Sequence, residues 1–102
     1  MQRWLGDFRR MGEGERVMAL AAIRARPTAG ALDAVTDGLL QSRSAFEQYQ
    51  ALRAAHNLLP QLDAQGRERL RTAVGEALDG RGSWALGPDR TGLAKDLLDR
   101  LQ

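Results

Sequence analysis

The chain has 102 residues, 43% of them apolar and 27% charged, and its 15 basic and 13 acidic side chains give a formal charge of +2. This length is typical of a single small domain with one core. The sequence contains no cysteine and one histidine, which excludes disulfides, thiol nucleophiles, iron–sulfur clusters and zinc sites built from Cys or from several His.

No stretch of the sequence predicts a membrane-spanning segment. The longest apolar run, residues 17–23, is far shorter than the roughly 20 residues that cross a bilayer. Charged residues such as Asp7, Arg9 and Arg10 interrupt the hydrophobic stretch that a secretory signal needs. We therefore expect a cytoplasmic protein without a membrane partner. The strong preference for arginine over lysine is typical of a bacterial protein from a GC-rich genome.

Alanine and leucine dominate the sequence, and no stretch alternates apolar and polar residues over the length of a strand. This pattern predicts an all-α domain of about six helices in antiparallel pairs. The predicted organisation is an N-terminal capping helix in residues 1–12, a first helix pair in 13–42, a second helix pair in 43–79, and a loop with a C-terminal helix in 80–102.

The first predicted helix takes its apolar face from Trp4, Phe8 and Met11. The second covers about residues 13–26, and its middle is apolar on all sides. A helix without a polar face is usually packed between neighbours, so we expect this one to lie deepest in the fold, with the fourth helix also central. Pro27 ends it.

Capping signals mark where the next helices begin. Thr28 is suited to cap the third helix. Ser44, with Glu47 three residues later, matches a capping box directly before the fourth helix, and Asp63 is suited to cap the fifth. The fifth helix is the most strongly amphipathic, and the last begins at about Pro88.

Apolar residues that recur at helical spacing are expected to form the core. The set draws on all six predicted helices, which indicates a single core. It consists of Trp4, Phe8, Val17, Leu20, Ile23, Leu32, Val35, Leu39, Phe46, Tyr49, Leu52, Leu59, Leu70, Val74, Leu78, Leu97 and Leu101.

The second and fourth predicted helices share a pattern. At an offset of 32 positions the second helix aligns with the fourth, and at an offset of 38 positions Leu32 and Leu40 align with Leu70 and Leu78. The residues aligned in the first case are Glu15, Val17, Ala19, Leu20 and Ala22 with Glu47, Tyr49, Ala51, Leu52 and Ala54. A proline follows each of the two helices. One helix pair used twice is the pattern of a repeat architecture.

This organisation resembles a HEAT-like α-helical repeat, in which helix pairs stack into a short solenoid. The resemblance implies a scaffold whose helix faces bind other proteins, with no chemistry and no cofactor of its own. The alternative fold is a compact death-like bundle of six helices. The two differ in their contacts, because a solenoid packs each pair mainly against its neighbours in sequence, whereas the bundle brings the first and last helices together.

The residues that carry chemistry elsewhere do not form a complete catalytic motif here. His56 is interpreted as a partly packed residue at the edge of the core. Two carboxylate pairs, Asp33 with Asp37 and Asp96 with Asp99, each share a helical face opposite the apolar stripe, where we expect them to be solvated. The sequence therefore predicts no enzyme activity, no metal and no cofactor.

A non-enzymatic protein-interaction module or adaptor is the function that the sequence favours. The exposed sides of the third and fifth helices are the expected contact surface, where Asp33, Asp37, Arg67 and Arg71 set partner choice. The alternative is a helical nucleic-acid-binding protein that uses arginine clusters, although acidic residues such as Glu68 interrupt them. Self-association through apolar end surfaces is a further alternative.

Overall fold

A computed structural model describes residues 7–83 and 85–102. In this part of the chain the regular structure is helical and there is no strand, which confirms the prediction of an all-α fold with about six helices. Trp4 of the predicted core lies outside the described residues. The helices are α1 (helical residues 7–10), α2 (Glu13–Ala25), α3 (Leu32–Leu40), α4 (Ala45–Leu58), α5 (Ala64–Leu78) and α6 (Pro88–Leu101), and 3-10 turns at Ala29–Ala31 and Leu59–Gln61 precede α3 and α5.

Two of the three predicted caps make their hydrogen bonds. The Ser44 hydroxyl accepts from the Glu47 N–H at 3.1 Å, and the Asp63 carboxylate accepts from the Gly66 N–H at 2.7 Å, so each satisfies an N–H that the first turn leaves free. Thr28 makes no such bond: it precedes the 3-10 turn rather than α3 itself. Gly80, with a φ of +78°, supplies the left-handed turn that ends α5.

The helices form two layers. In one layer α4 packs between α2 and α6, and in the other α3 packs beside α5. In the larger layer α2 and α4 run in the same direction. This follows from two contacts: Arg16 with Glu47 near the start of both helices, and Arg24 with Asn57 near the end of both.

Two other pairs of neighbouring helices, α4 with α6 and α3 with α5, are also parallel. Gln48 and His56 of α4 contact Arg90 and Asp96 of α6 in that order. In the second layer Asp33 of α3 pairs with Arg69 of α5, and Leu40 and Glu76, which lie further along these two helices, line a common cleft. Each layer is therefore a row of parallel helices.

Consecutive helices pair differently from the prediction. The closest packing between sequential helices joins α3 to α4 and α5 to α6, whereas the predicted pairs were 13–42 and 43–79. Residues 41–44 connect α3 directly to α4, and residues 26–31, which contain a 3-10 turn, connect α2 to α3.

The fourth helix is central, as predicted, but the second is not the deepest. Eight of the 14 residues of α4 are buried. In α2 only Arg16, Leu20 and Ile23 are buried, and Met18 is 73% exposed. The uniformly apolar run was misleading because small alanines occupy most of its outward positions, where their exposure costs little.

Most of the predicted core is buried between the two layers. The buried members are Phe8, Leu20, Ile23, Leu32, Val35, Leu39, Leu52, Leu70, Val74, Leu97 and Leu101, and the half-buried members are Val17, Tyr49, Leu59 and Leu78. The prediction that Phe46 belongs to the core is wrong, since its side chain is 58% exposed. Alanines and Gly38 let the layers approach closely, and a Cβ at Gly38 would lie 3.1 Å from a Leu20 methyl carbon.

Substitution of Leu20 or Leu52 by Ala tests this packing. Both side chains are fully buried, so each substitution removes buried apolar surface and leaves a cavity. We therefore expect a loss of about 2–5 kcal/mol in the free energy of unfolding. Urea denaturation measures it. Met18→Ala, on the same helix as Leu20 but exposed, is the control and should change stability little. Near-neutral effects at both leucines would contradict the packing described.

Candidate functional site

The charged residues predicted to bind a partner do not form one surface. The Asp37 side chain is only 8% exposed: one carboxylate oxygen accepts from Arg16 Nη2 at 3.2 Å and the other from Arg9 Nε at 3.3 Å. The expectation that Asp37 is solvated is wrong, because tertiary contacts enclose it. Asp33 lies on the seam between α3 and α5, where it pairs with Arg69.

Arg67 and Arg71 contact the end of α6. Arg67 Nη2 donates to the carbonyl of Arg100 at 2.9 Å, and Arg71 Nη2 donates to the carbonyl of Leu101 at 3.5 Å. The last carbonyl groups of a helix have no partner within it, so these two arginines satisfy them and hold α6 against α5. Arg71 also pairs with Glu68 at 2.8 Å. A partner-binding role for the four predicted residues stays a prediction.

The seam between α3 and α5 carries two shallow clefts, of about 330 and 320 Å³. Arg69 lines both clefts and is held by Asp33. The second cleft is also lined by Thr36, Leu40, Glu68, Thr72, Ala73 and Glu76. The two charges at the centre of this face, Asp33 and Arg69, neutralise each other.

A buried guanidinium group lies at the other end of α3. Arg16 is 2% exposed, and Glu47, which is fully buried, accepts from its Nε at 3.0 Å and from its Nη2 at 2.7 Å. The remaining donors reach Asp37 and the carbonyl groups of Phe8 and Gln41. The guanidinium carbon also lies 4.1 Å from the centre of the Phe8 ring.

Every charge in this cluster is compensated. Burial by itself lowers the pKa of Arg16, but the hydrogen bonds and charges of Glu47 and Asp37 outweigh it, and the pKa of Arg16 is raised above its ordinary value. The group therefore stays charged and connects α1, α2, α3 and α4. Its Nε and Nη2 donate to carboxylates and its Nη1 to a backbone carbonyl, which are the contacts of a structural ion pair.

Glu47→Gln tests the buried pair. The substitution keeps the shape of the side chain but leaves the Arg16 charge without its main partner, so we expect a loss of about 3–5 kcal/mol in unfolding free energy. Urea unfolding measures it, with Glu13→Gln on exposed α2 surface as the control. The double variant Arg16→Met, Glu47→Leu should regain much of the loss. An effect of Glu47→Gln no larger than that of the control would contradict this assignment.

An aromatic pair lies on the outer side of α4. The rings of Phe46 and Tyr49 are nearly parallel, at 11°, with centroids 6.3 Å apart. The guanidinium carbon of Arg53, one turn further on, lies 6.0 Å from the centre of the Tyr49 ring. Among the described residues, Met18 and Phe46 are the large hydrophobic side chains that are exposed. We call Phe46, Tyr49 and Arg53 the α4 ridge.

A cleft of about 390 Å³ adjoins the α4 ridge. Ala45, Phe46 and Tyr49 form one wall, and Asp89 and Arg90 at the start of α6 form the other. Two acceptors hold Arg90 in place, since its Nη1 donates to Gln48 Oε1 at 2.6 Å and to the carbonyl of Ala85 at 3.4 Å. Both walls of the cleft are therefore fixed by helices.

His56 joins the far ends of α4 and α6. Its Nδ1 lies 3.0 Å from the carbonyl oxygen of Leu52 and its Nε2 lies 3.0 Å from Asp96 Oδ2. The same carboxylate oxygen accepts from Arg100 Nε at 2.9 Å. The hydrogen bonds from Arg100 and then from His56 lower the pKa of Asp96. The interpretation of His56 as a partly packed edge residue agrees with its half-buried ring.

Asp96→Asn tests these contacts through pH. A carboxylate whose folded pKa is lowered stabilises the fold above its unfolded value, near 3.8, and loses that contribution as the pH falls through the lower folded value. Asp96→Asn should therefore unfold at lower urea concentration than the parent at neutral pH, and the difference should vanish in strong acid. Asp99→Asn on the same helix is the control, because Asp99 makes no ion pair among the described residues. An unchanged difference at all pH values would refute the assignment.

The α4 ridge was missed as a surface because its aromatic residues follow helical spacing with Leu52. The polar side chains Glu47 and Gln48 are buried next to them instead. A sequence signal did exist, since Arg16 and Glu47 lie in the two helices that share a sequence pattern, but their pairing spans 31 positions.

Comparison with protein-family models, curated proteins and solved structures finds no match to this chain. In residues 7–83 and 85–102, no group of three or more His, Cys, Asp or Glu side chains is placed to hold a metal ion. The helices of the same residues are all too short or too polar to span a membrane.

Proposed function

We propose that this chain is a non-enzymatic protein-interaction module, either a small adaptor or a scaffold unit, and that the α4 ridge is its contact surface. The observation that carries the proposal is Phe46, which stays 58% exposed beside a ring stacked on it and a cleft next to both. A phenylalanine exposed to this extent loses the favourable free energy of burial in the free protein and recovers it when a partner covers the ring.

The composition of the α4 ridge supports a protein partner. Aromatic residues and arginine are enriched in protein interfaces and dominate their hot spots, where a ring fills a pocket on the partner. Phe46, Tyr49 and Arg53 are of this kind and lie on one rigid helix, so little side-chain and backbone freedom is lost on binding.

We also propose a HEAT-like repeat for the scaffold. Its support is the stacking of parallel helices in both layers, with α2, α4 and α6 in one row and α3 and α5 in the other. A solenoid presents whole helix faces to partners, which agrees with an interaction surface on a single helix. The proposed location is the cytoplasm.

The residues first predicted for partner binding take a different place in this proposal. Arg67 and Arg71 hold the end of α6, and Asp37 belongs to the buried cluster around Arg16. Asp33 is paired with Arg69 on the α3–α5 seam, in the layer that does not contain α4, so it lies outside the proposed contact surface.

Phe46→Ser tests the proposal. The parent protein is immobilised and used to capture proteins from cells of the source, with and without nuclease. We expect defined proteins to be retained by the parent and by Met18→Ser, the other exposed hydrophobic position, and lost by Phe46→Ser, because only the last removes the aromatic contact. Both variants should fold like the parent, as circular dichroism will check.

Three outcomes would contradict the proposal. Equal capture by the parent and Phe46→Ser would exclude the α4 ridge. Recovery of nucleic acid alone, released steeply by salt, would favour the nucleic-acid alternative. Recovery of the chain itself, with a dimer in sedimentation analysis, would favour self-association.

A further inference from the structure

We propose that the α4 ridge and its cleft bind an acidic segment of the partner that carries a large hydrophobic side chain. This inference rests on the proposed function and names the chemistry of its partner. The hydrophobic side chain would cover Phe46 and enter the cleft between α4 and α6, and the acidic groups would face Arg53.

The cleft has the walls of an anchor site. Phe46 and Tyr49 present nearly parallel rings on one side, and Arg90 is fixed by its hydrogen bonds to Gln48 and Ala85 on the other. Its volume of about 390 Å³ is large enough for one large side chain. A few hydrophobic anchor residues typically contribute most of the binding energy of an interface.

The charge of this surface selects an acidic partner. The single acidic residue of α4, Glu47, is fully buried and neutralised by Arg16, so the exposed side of the helix carries no negative charge. Arg53 is exposed and makes no ion pair among the described residues. On the opposite wall Asp89 is 72% exposed and only 3.7 Å from Arg90, so it offsets a single positive charge there.

An unpaired cation beside an aromatic pair favours carboxylates over a nucleic-acid backbone. Single-stranded nucleic acid also stacks on aromatic rings, but its binding needs a positively charged groove along successive phosphates. The α4 ridge offers Arg53 alone, and one positive charge is too few to follow successive phosphates. One or two carboxylates next to a hydrophobic anchor match this distribution, and electrostatic complementarity of this kind sets partner choice and association rate.

The test uses three fluorescent helical peptides with the same leucine and phenylalanine anchors, flanked by glutamate, glutamine or lysine. Fluorescence anisotropy measures their affinities for the parent, Phe46→Ser, Arg53→Glu and the matched control Met18→Ser, at low and at moderate salt. A single-stranded oligouridine is measured beside them. Circular dichroism and urea unfolding check that every variant folds like the parent.

We expect the glutamate peptide to bind the parent about tenfold more tightly than the lysine peptide, and its affinity to fall with salt. Phe46→Ser should weaken all three peptides about tenfold or more, and Arg53→Glu should reverse the order of the glutamate and lysine peptides. Met18→Ser should bind like the parent.

Other results overturn the inference in distinguishable ways. Equal binding of the three peptides, lost in Phe46→Ser, would reject the acidic partner and leave the proposed function intact. Preference for lysine, absence of glutamate-peptide binding, or tighter binding of oligouridine would also reject it. If Phe46→Ser also leaves the capture of cellular proteins unchanged, the proposed function is rejected together with the acidic partner.

Discussion

The buried guanidinium group of Arg16 fixes the arrangement on which the rest of the molecule depends. Removing a charged group from water is costly, and here Glu47, Asp37 and two backbone carbonyl groups compensate the charge. Because these partners come from separate segments, one side chain sets the relative positions of α1, α2, α3 and α4. It also sets the rotation of α4 about its own axis, because Glu47 must point inward to reach Arg16.

That rotation creates the exposed surface. Glu47 and Gln48 point into the fold, where Gln48 accepts from Arg90 of α6. Residues next to each other on a helix point about 100° apart, so the inward position of these two polar side chains leaves Phe46 exposed and Tyr49 half-buried. The usual arrangement of apolar residues inside and polar residues outside is thus reversed over one turn. Such a local violation is expected where function, rather than stability, selects the side chains.

The sequence was sufficient for features that depend on neighbouring residues. The all-α class and the caps Ser44 and Asp63 follow from local hydrogen bonding and helical spacing, and the structure confirms them. The sequence was insufficient where residues far apart in the chain determine whether a side chain is buried or paired. The sequence pattern around Asp37 is that of a solvated carboxylate, but in the fold Arg16 and Arg9 enclose it. The pattern around Arg67 is that of a free surface charge, but in the fold this arginine contacts the end of α6. The prediction that Phe46 belongs to the core was wrong for the same reason, since its exposure depends on the contact between Glu47 and Arg16.

The α4 ridge is the proposed contact surface for a binding partner. Titration of the ¹⁵N-labelled protein with the glutamate-flanked peptide, followed by amide chemical shifts, tests it most directly because the shifts locate the contact residue by residue. We expect the largest changes at Phe46, Tyr49, Arg53 and Arg90, with the amides of Asp33 and Arg69 on the α3–α5 seam unchanged. Changes concentrated on that seam, or no changes at all, would contradict it.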